Sequence, residues 1–282
     1  MNSTLANSTP ANIAVDIGNT DLKCGIFTLN GELCGVWRCP AKGFKPSISF
    51  LRTMLRWDTL TNLRVDRGNR KIAAPAVAYP EPLAWWIAQT GKFPWQQWQE
   101  AILSLRPNDK FKMVTRRQIP LKRDVKFPTK VGIDRLLAAY AAVKVHGEVP
   151  MLIVDAGTAI TIDLVQNQTF CGGAILPGLA AQAATYPNIS ANLPLVSIPD
   201  AHLKARSVYP GKSTQEAIQS GLYWGTIGAI RQFYDTLRKQ NAPLILSGGD
   251  AEYLLPGLVQ NIPTTQFKPH LVLEGIHWCG FR

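Results

Sequence analysis

The chain has 282 residues and a formal net charge of +11, with 46% hydrophobic and 17% charged residues. This composition excludes a disordered chain and predicts a sizeable core, and the length suits two lobes that share a cleft. No apolar run approaches the ~18 residues that a membrane-spanning helix needs, and the N-terminus lacks the basic start and apolar stretch of a signal peptide, so we expect no membrane partner.

The chain opens with a predicted β-meander. Residues 1–12 are rich in Ser, Thr and Asn and predict a disordered leader. The apolar run Ile13–Val15 then leads into Asp16-Ile17-Gly18-Asn19-Thr20, and a second run covers Leu22–Phe27. Because Asn30-Gly31 is typical of a type I′ hairpin, the pattern predicts three strands, the first two joined by a turn of small residues.

Helices are predicted next, over residues 47–57, 94–105 and 133–145, the last with Gly147 placed to cap its end. A basic segment, residues 106–130, carries many lysines and arginines that are opposed only by Asp109 and Asp124. Such a segment attracts nucleic acid, steers an anionic nucleotide and a carboxylate substrate, or forms a solvated face without a partner. The composition of the segment leaves these three interpretations open.

The opening pattern returns in the second half. Residues 151–154 lead into Asp155-Ala156-Gly157-Thr158-Ala159, and strands are predicted over 160–165 and 169–175. A capping box at Ser213 opens a long helix toward Leu237, and a glycine-rich turn over 247–250 follows a strand over 243–246. Because strand, Asp-x-Gly turn and strand occur twice, we predict an α/β fold of two duplicated lobes, residues 13–148 and 149–282.

The two Asp-x-Gly turns predict phosphate binding. Glycine lets backbone N–H donors approach a phosphate closely, and the side chains of Asn19, Thr20 and Thr158 add further donors. A carboxylate at the end of a strand, Asp16 or Asp155, can hold a cation directly or through water. The sequence has no Gly-x-x-x-x-Gly-Lys-Ser/Thr segment, which excludes a P-loop enzyme, and no Gly-x-Gly-x-x-Gly that opens a helix after a strand, which disfavours a dinucleotide fold.

An acid and a base stand side by side in Gly132-Ile133-Asp134-Arg135, at the start of a predicted apolar helix. Asp134 is either a first-turn acid that the helix dipole favours or the group that accepts a proton from an attacking hydroxyl while Arg135 holds an anion. The 5 cysteines and 4 histidines show no ligand spacing. This predicts reduced thiols in a cytoplasmic protein, with neither a zinc site nor a catalytic histidine.

Five motifs stand in order along the chain: Asp16–Thr20, Gly132–Arg135, Asp155–Ala159, Gly172–Gly178, and Ser213–Ile218 with Gly221. This set, which spans nearly the whole chain after Asn12, resembles the type III pantothenate kinases. The resemblance implies the acetate/sugar-kinase–Hsp70–actin type of fold, in which two ribonuclease-H-like lobes flank a cleft. It also implies a homodimer that uses ATP, Mg²⁺ and a monovalent cation (K⁺ or NH₄⁺).

The resemblance also implies roles for residues of this sequence. Asp134 is the catalytic proton acceptor, Asp155 is the monovalent-cation ligand, and we assign Asp16 to magnesium through water. The implied ATP-binding residues are Asp16, Ile17, Gly18, Asn19, Thr20, Asp21, Leu22, Lys23 and Thr158. The implied substrate-binding residues are Gly132, Ile133, Asp134, Arg135 and Thr214. The family often has a pocket tyrosine shortly before the Gly-x-Asp-Arg segment, but Val125 stands there, with Phe127 close by, so that contact is not transferred.

We therefore predict a phosphotransferase with an alcohol acceptor, which converts pantothenate to 4′-phosphopantothenate with ATP in the first step of coenzyme A biosynthesis. One alternative is a kinase of the same fold for another small hydroxyl metabolite, and the retained Gly-x-Asp-Arg segment argues against it. A second alternative is a non-enzymatic regulator or nucleic-acid binder on the same scaffold, motivated by residues 106–130. Because every acid needed for catalysis is present, nucleic acid is not the expected partner.

Overall fold

The computed structural model describes residues 10–28, 30–41, 82–198, 209–237 and 241–280. These residues form two compact units. Unit 1 contains the described residues within Met1–Pro120, Gly132–Leu137 and Val272–Arg282, and unit 2 contains those within Leu121–Val131 and Ala138–Leu271. The units thus alternate along the chain, whereas the predicted lobes divide it once, after residue 148. The helix predicted over 47–57 lies outside the described residues.

Unit 1 is built on a five-stranded sheet in the order β3-β2-β1-β4-β5. Its strands are β1 (Pro10–Ile17), β2 (Asp21–Thr28), β3 (Leu33–Pro40), β4 (Ala84–Gln89) and β5 (Lys110–Met113). β1 pairs antiparallel with β2 and parallel with β4, while β2 pairs antiparallel with β3. The predicted meander is confirmed, although β1 begins at Pro10, so residues 10–12 belong to the strand and not to the predicted leader.

The β2–β3 hairpin depends on a glycine. Gly31 has a φ of 83°, in the region that favours glycine, and its N–H donates to the Thr28 carbonyl at 3.0 Å. The predicted turn position is confirmed.

The helices in the described part of the chain are α1 (Trp95–Leu105), α2 (Ile133–His146), α3 (Leu179–Ala183), α4 (Tyr186–Ile189), α5 (Thr214–Asp235), α6 (Ala251–Asn261) and α7 (Leu271–Gly280). Helix α1 buries Trp95, Trp98 and Ile102, which recur at helical spacing and pack into the unit 1 core with Trp85. Core packing therefore accounts for three of the four tryptophans in residues 85–98, namely Trp85, Trp95 and Trp98. In the described ranges, no helix is both long and apolar enough to cross a membrane.

Unit 2 is built on a six-stranded sheet in the order β11-β10-β7-β8-β9-β6. Its strands are β6 (Lys122–Arg123), β7 (Met151–Ala156), β8 (Ala159–Gln166), β9 (Thr169–Pro177), β10 (Leu244–Ser247) and β11 (Thr265–Phe267). β7 pairs antiparallel with β8 and parallel with β10, and β8 pairs antiparallel with β9. The apolar residues of these strands pack against α5 and α6 in one core.

The two sheets share one topology. The order β9-β8-β7-β10-β11 in unit 2 repeats the order β3-β2-β1-β4-β5 in unit 1, with the same parallel and antiparallel pairs. Each central strand, β1 or β7, ends in its own Asp-x-Gly turn. The duplication that the repeated motif predicts is therefore confirmed.

The predicted helix ends are also confirmed, with one difference. Gly147 has a φ of 71° and donates its N–H to the Val143 carbonyl at 2.8 Å, which caps α2. At the start of α5, the Ser213 hydroxyl accepts the Glu216 N–H at 3.2 Å. The Glu216 carboxylate, however, accepts the N–H of Lys212 at 2.6 Å, one residue before the position that a capping box uses.

Candidate active site

The first glycine turn joins β1 to β2 in unit 1. The Gly18 N–H donates to the Asp21 carbonyl at 2.9 Å, while Asn19 and Thr20 at the tip are exposed. A Cβ on Gly91, which follows β4, would overlap the Gly18 carbonyl, so the main chain at residue 91 lies directly against the turn. The turn is therefore held by close backbone contact and leaves its tip open to a ligand.

Asp16 and Lys23 face each other across this turn. They are directly opposed in the β1–β2 ladder, so their side chains lie on the same face of the sheet. Both are partly exposed, whereas Ile17 and Leu22 are buried in the unit 1 core. The structure thus separates the predicted nucleotide residues into a polar group that can meet a ligand and an apolar pair that anchors the turn.

The second glycine turn joins β7 to β8 in unit 2. The Gly157 N–H donates to the Ala159 carbonyl at 3.0 Å, and the Gly178 N–H donates to the Thr158 carbonyl at 3.1 Å. A Cβ on Gly178 would overlap the carbonyls of Gly157 and Thr158. Asp155 at the end of β7 is half-buried, and Thr158 at the tip is exposed, so this turn presents a carboxylate and a hydroxyl together.

A third glycine-bearing turn, Ser247–Asp250, follows β10 and reaches the end of β7. Gly248 has a φ of 104°, its Cβ would overlap the Ala156 carbonyl, and the Asp250 N–H donates to that carbonyl at 2.9 Å. Ser247 stands directly beside Asp155 in the parallel ladder and is buried. We did not predict Ser247 or Gly91 as site residues. Glycines that follow strands β4 and β10 could have indicated close backbone contacts with the two Asp-x-Gly turns.

The Gly132–Arg135 segment begins α2 in unit 1. The Asp134 Oδ1 accepts the N–H of Arg135 at 2.9 Å. A Cβ on Gly132 would overlap that same oxygen, so a larger residue there would make the Asp134 carboxylate turn aside. Asp134 and Arg135 are both half-buried, while Ile133 is buried and anchors the segment. Asp134 is therefore a first-turn acid whose carboxylate is held by a hydrogen bond to the main chain.

Thr214 is the first residue of α5 in unit 2, immediately after the capping Ser213, and it is exposed. It lies on a different element from Asp155 and Thr158, which share the second glycine turn. Val125 lies near β9, because a Cβ on Gly172 would be 3.4 Å from its Cγ1. Phe127 is 55% exposed, with the ammonium groups of Lys126 and Lys130 at 5.6 and 5.0 Å from its ring centre.

Two histidines, His146 and His277, have a lowered pKa. Burial lowers the pKa of His277 from 6.5 to about 4, and its ring stacks on Phe27 with centroids 4.2 Å apart. Burial and the Lys268 ammonium lower the pKa of His146. Over the same described ranges, no cluster of three or more His, Cys, Asp or Glu residues is arranged to hold a metal ion.

The fold is shared with solved structures of low sequence identity. A conserved Campylobacter jejuni protein, described as a Baf family transcriptional activator, has a TM-score of 0.54 at 18% identity over 95% of this chain and 96% of its own. A protein from Sinorhizobium meliloti, assigned as a 2-dehydro-3-deoxygalactonokinase, has a TM-score of 0.51 at 14% identity over 95% of both chains. The duplicated sheets and their glycine turns thus define the two-lobed, ribonuclease-H-like class of fold.

Sequence comparison defines the family within that class. The family model of the type III pantothenate kinases matches residues 12–236, and the chain belongs to this family. The type III pantothenate kinase of Synechococcus sp. strain JA-2-3B'a(2-13) is 32% identical over 80% of this chain and 85% of its own. That of Persephonella marina is 38% identical over 57% of this chain, and the match spans 61% of the Persephonella protein.

Proposed function

We propose that this type III pantothenate kinase transfers the γ-phosphoryl group of ATP to the hydroxyl of pantothenate, with Asp134 orienting that hydroxyl. The observation that supports the role of Asp134 is the placement of its carboxylate: its Oδ1 accepts the Arg135 N–H and lies where a Cβ on Gly132 would be. Phosphoryl transfer needs little covalent help from a protein and depends on in-line positioning and on neutralised charge. A fixed carboxylate at the start of a helix supplies such positioning.

Each glycine turn presents groups that can bind phosphate, and we assign ATP-binding residues to each turn by itself. In the first turn Asn19 and Thr20 are exposed at the tip, and Lys23 of β2 stands opposite Asp16. In the second turn Thr158 is exposed at the tip. Backbone N–H groups, small polar side chains and an ammonium group are the donors that phosphates bind in proteins. The buried side chains of Ile17 and Leu22 support the first turn from the core, so their assigned contacts with ATP are made by their main chain.

Asp134 acts late in the reaction. An alcohol is too weak an acid to lose its proton before attack, so a carboxylate first orients the hydroxyl and accepts the proton as the new P–O bond forms. Arg135, the next residue in α2, is assigned to the carboxylate of pantothenate, which a guanidinium group binds with two hydrogen bonds. General-base help contributes about 10²–10⁴-fold, and positioning and electrostatics supply the rest.

Two cations fit the residues present. A magnesium ion bound with ATP takes phosphate oxygens, waters and one or two carboxylates. We assign Asp16, partly exposed at the end of β1, to that ion. Asp155 has the hydroxyl residues Ser247 and Thr161 directly beside it in the neighbouring strands. This set of hard oxygen donors suits a potassium ion, which would offset phosphate charge there.

The assay for this function measures ADP release from ATP and Mg²⁺, with potassium present, with and without pantothenate. We expect pantothenate-dependent release and a product whose mass is that of 4′-phosphopantothenate. The function is rejected if purified, folded protein releases ADP at the same rate in both reactions. Sedimentation of the same preparation tests the homodimer, and fractionation of the source cells tests the cytoplasmic location that the reduced cysteines predict.

Another small hydroxyl compound is the second candidate substrate. Val125 replaces the polar ring that the family often has, and it lies near Gly172 of β9. A valine offers no hydrogen-bonding group at this position, so a pocket that it lined would discriminate less between related substrates. A panel of hydroxy acids and amides related to pantothenate decides between the two candidate substrates. The pantothenate assignment requires that pantothenate has the highest kcat/KM in that panel.

A further inference from the structure

Four charged residues lie on one face of the unit 1 sheet, beside the first glycine turn. Asp16 in β1 stands directly opposite Lys23 in β2, and Lys23 stands directly opposite Arg38 in β3. Directly opposed residues of neighbouring strands place their side chains on the same face. Asp21 lies two residues before Lys23 in β2 and shares that face. We call Asp16, Asp21, Lys23 and Arg38 the charged row.

Within the charged row, Arg38 pairs with Asp21. The Arg38 Nη2 forms an ion pair with the Asp21 Oδ2, and the two side chains are 53% and 20% exposed. An exposed pair of this kind contributes at most about 1 kcal/mol to the free energy of unfolding. Fold stability therefore does little to explain why this ion pair is present. Its position beside the glycine turn suggests a role at the nucleotide site.

Asp21 closes the turn to which we assign the phosphates of ATP. Its carbonyl accepts the Gly18 N–H at 2.9 Å, so its carboxylate is carried by the turn itself. A carboxylate without a cation there would repel a polyphosphate, because like charges a few ångströms apart interact strongly outside bulk water. The C-terminal end of β3 holds the turn at a second point, since the Ala41 N–H donates to the Thr20 carbonyl at 2.7 Å. β3 thus supplies both a backbone support and the neutralising cation.

Unit 2 provides an internal comparison. Asp21 and Ala159 each begin the second strand of their unit, and each stands opposite a proline of the third strand. Arg38 and Ile175 each lie two residues before that proline. Unit 2 therefore builds the same sheet and an Asp-x-Gly turn without this ion pair, so the fold does not require it. Unit 1 has both Asp21 and Arg38, whereas unit 2 has Ala159 and Ile175 at the same positions.

We propose that Arg38 is a positioning residue of the nucleotide site, which neutralises Asp21 and so allows the first glycine turn to accept phosphates. This inference rests on the proposed function, because it takes the Gly18 turn as part of the ATP site. Arg38 acts through Asp21 and needs no contact with the nucleotide. The prediction that follows is specific: losing Arg38 weakens ATP binding only while Asp21 keeps its charge.

A double-mutant cycle tests this prediction. The wild type, Arg38→Ala, Asp21→Asn and the double variant are compared by the dissociation constant of a non-hydrolysable ATP analogue with Mg²⁺ at low salt, and by kcat at saturating ATP. We expect Arg38→Ala to weaken binding about fivefold or more, with less effect at high salt. We expect the double variant to bind within about twofold of Asp21→Asn alone. Arg38→Lys keeps the charge and should retain most of the affinity.

Arg231→Ala is the matched control, because it removes an exposed arginine that pairs with Asp235 within α5 and belongs to neither glycine turn. It should leave the affinity for ATP unchanged. The inference is overturned if Arg38→Ala has no effect on affinity, or the same effect with and without Asp21→Asn. A wild type that binds the analogue but shows no pantothenate-dependent ADP release rejects the proposed function instead, while the cycle still decides the role of Arg38.

Discussion

Single residues at the start of α2 determine what Asp134 can do. Its position in the first turn agrees with a dipole-favoured acid, and its fixed carboxylate agrees with a group that orients a hydroxyl. The two roles differ in what a substitution changes, because a helix acid affects stability and a catalytic carboxylate affects turnover.

We predict that Asp134→Asn folds normally, binds ATP normally and loses about 10²-fold or more in turnover. The amide keeps the size of the side chain but cannot accept the proton late in the step. ATP affinity should be retained because the nucleotide is assigned to Asp16–Lys23 and Thr158. Turnover, ATP affinity and melting temperature measured on one preparation check this prediction.

Glu252→Gln is the control for that experiment, since Glu252 is an exposed first-turn acid of α6. It should cost about 0.3–1 kcal/mol of stability and leave turnover unchanged. If Asp134→Asn behaves in the same way as this control, Asp134 is a structural acid and not the catalytic residue.

Gly132→Ala tests the fixed position of the same carboxylate. The added methyl group would overlap the Asp134 Oδ1, so the carboxylate must move, and we expect turnover to fall about 10–10²-fold because small misplacements are costly. Gly228→Ala in α5 is the matched control, since nothing lies within 4 Å of its Cβ. That variant should gain about 0.5–1 kcal/mol in stability and keep its activity. Equal turnover in both variants would contradict the prediction.

At the scale of elements, one buried carboxylate joins β4, β5 and the end of α1. Asp109 accepts the N–H of Leu83 at 2.9 Å, the Nε1–H of Trp85 at 2.8 Å and the Nε–H of Arg106 at 2.8 Å. Both charged side chains of the pair are almost fully buried. Asp109, one of the two acids in the basic segment 106–130, is therefore a structural centre of unit 1.

We predict that Asp109→Asn destabilises the protein by about 3–5 kcal/mol, because it leaves the Arg106 guanidinium buried without its counter-ion. The midpoint of urea unfolding measures this change. Asp235→Asn removes the exposed pair with Arg231 and should cost under about 1 kcal/mol. Similar costs for the two variants would show that the burial of Asp109 carries no energetic weight.

Local sequence patterns predicted the strands, helix ends and glycine turns because each depends on neighbouring residues. The run before Asp155 and the Ser213 cap are examples, and both elements formed where expected. Contacts between distant segments were not predictable in this way. The approach of Gly91 to Gly18 and the pairing of Arg38 with Asp21 depend on strand register, which a single sequence does not state. The assigned roles of Asp134, Asp155 and Thr214 remain predictions.

At the scale of the whole molecule, pH should affect stability through His277. Burial lowers its pKa to about 4, below the usual 6.5, so the unfolded chain binds a proton more readily than the folded protein. Stability contributed by the neutral, buried ring is complete above pH 6.5 and is lost as the pH falls toward 4. His277→Phe should reduce this loss in urea unfolding between pH 7 and pH 4.5, because it keeps a ring against Phe27 without the titrating group. An unchanged pH profile would contradict the prediction.

The salt requirement is a second property of the whole molecule. If Asp155 holds a monovalent cation beside the phosphates, activity should be weak with sodium alone and recover with potassium or ammonium. Asp155→Asn should abolish the difference between these salts. Equal activity of the wild-type protein in all three salts would count against a cation site at Asp155.

The backbone contacts around the glycine turns also limit how this protein can change by mutation. At Gly91, Gly178 and Gly248 the main chain already fills the space where any side chain would begin. Lineages can therefore vary the ligand chemistry at the exposed tips, such as Asn19 and Thr158, but hardly at these three positions. In a saturation-mutagenesis library, the three glycines should tolerate almost no substitution. Substitutions at the tips should leave the protein folded but reduce its activity. New substrate specificity can then arise only from changed side chains at the turn tips, because the main chain of the turns stays the same.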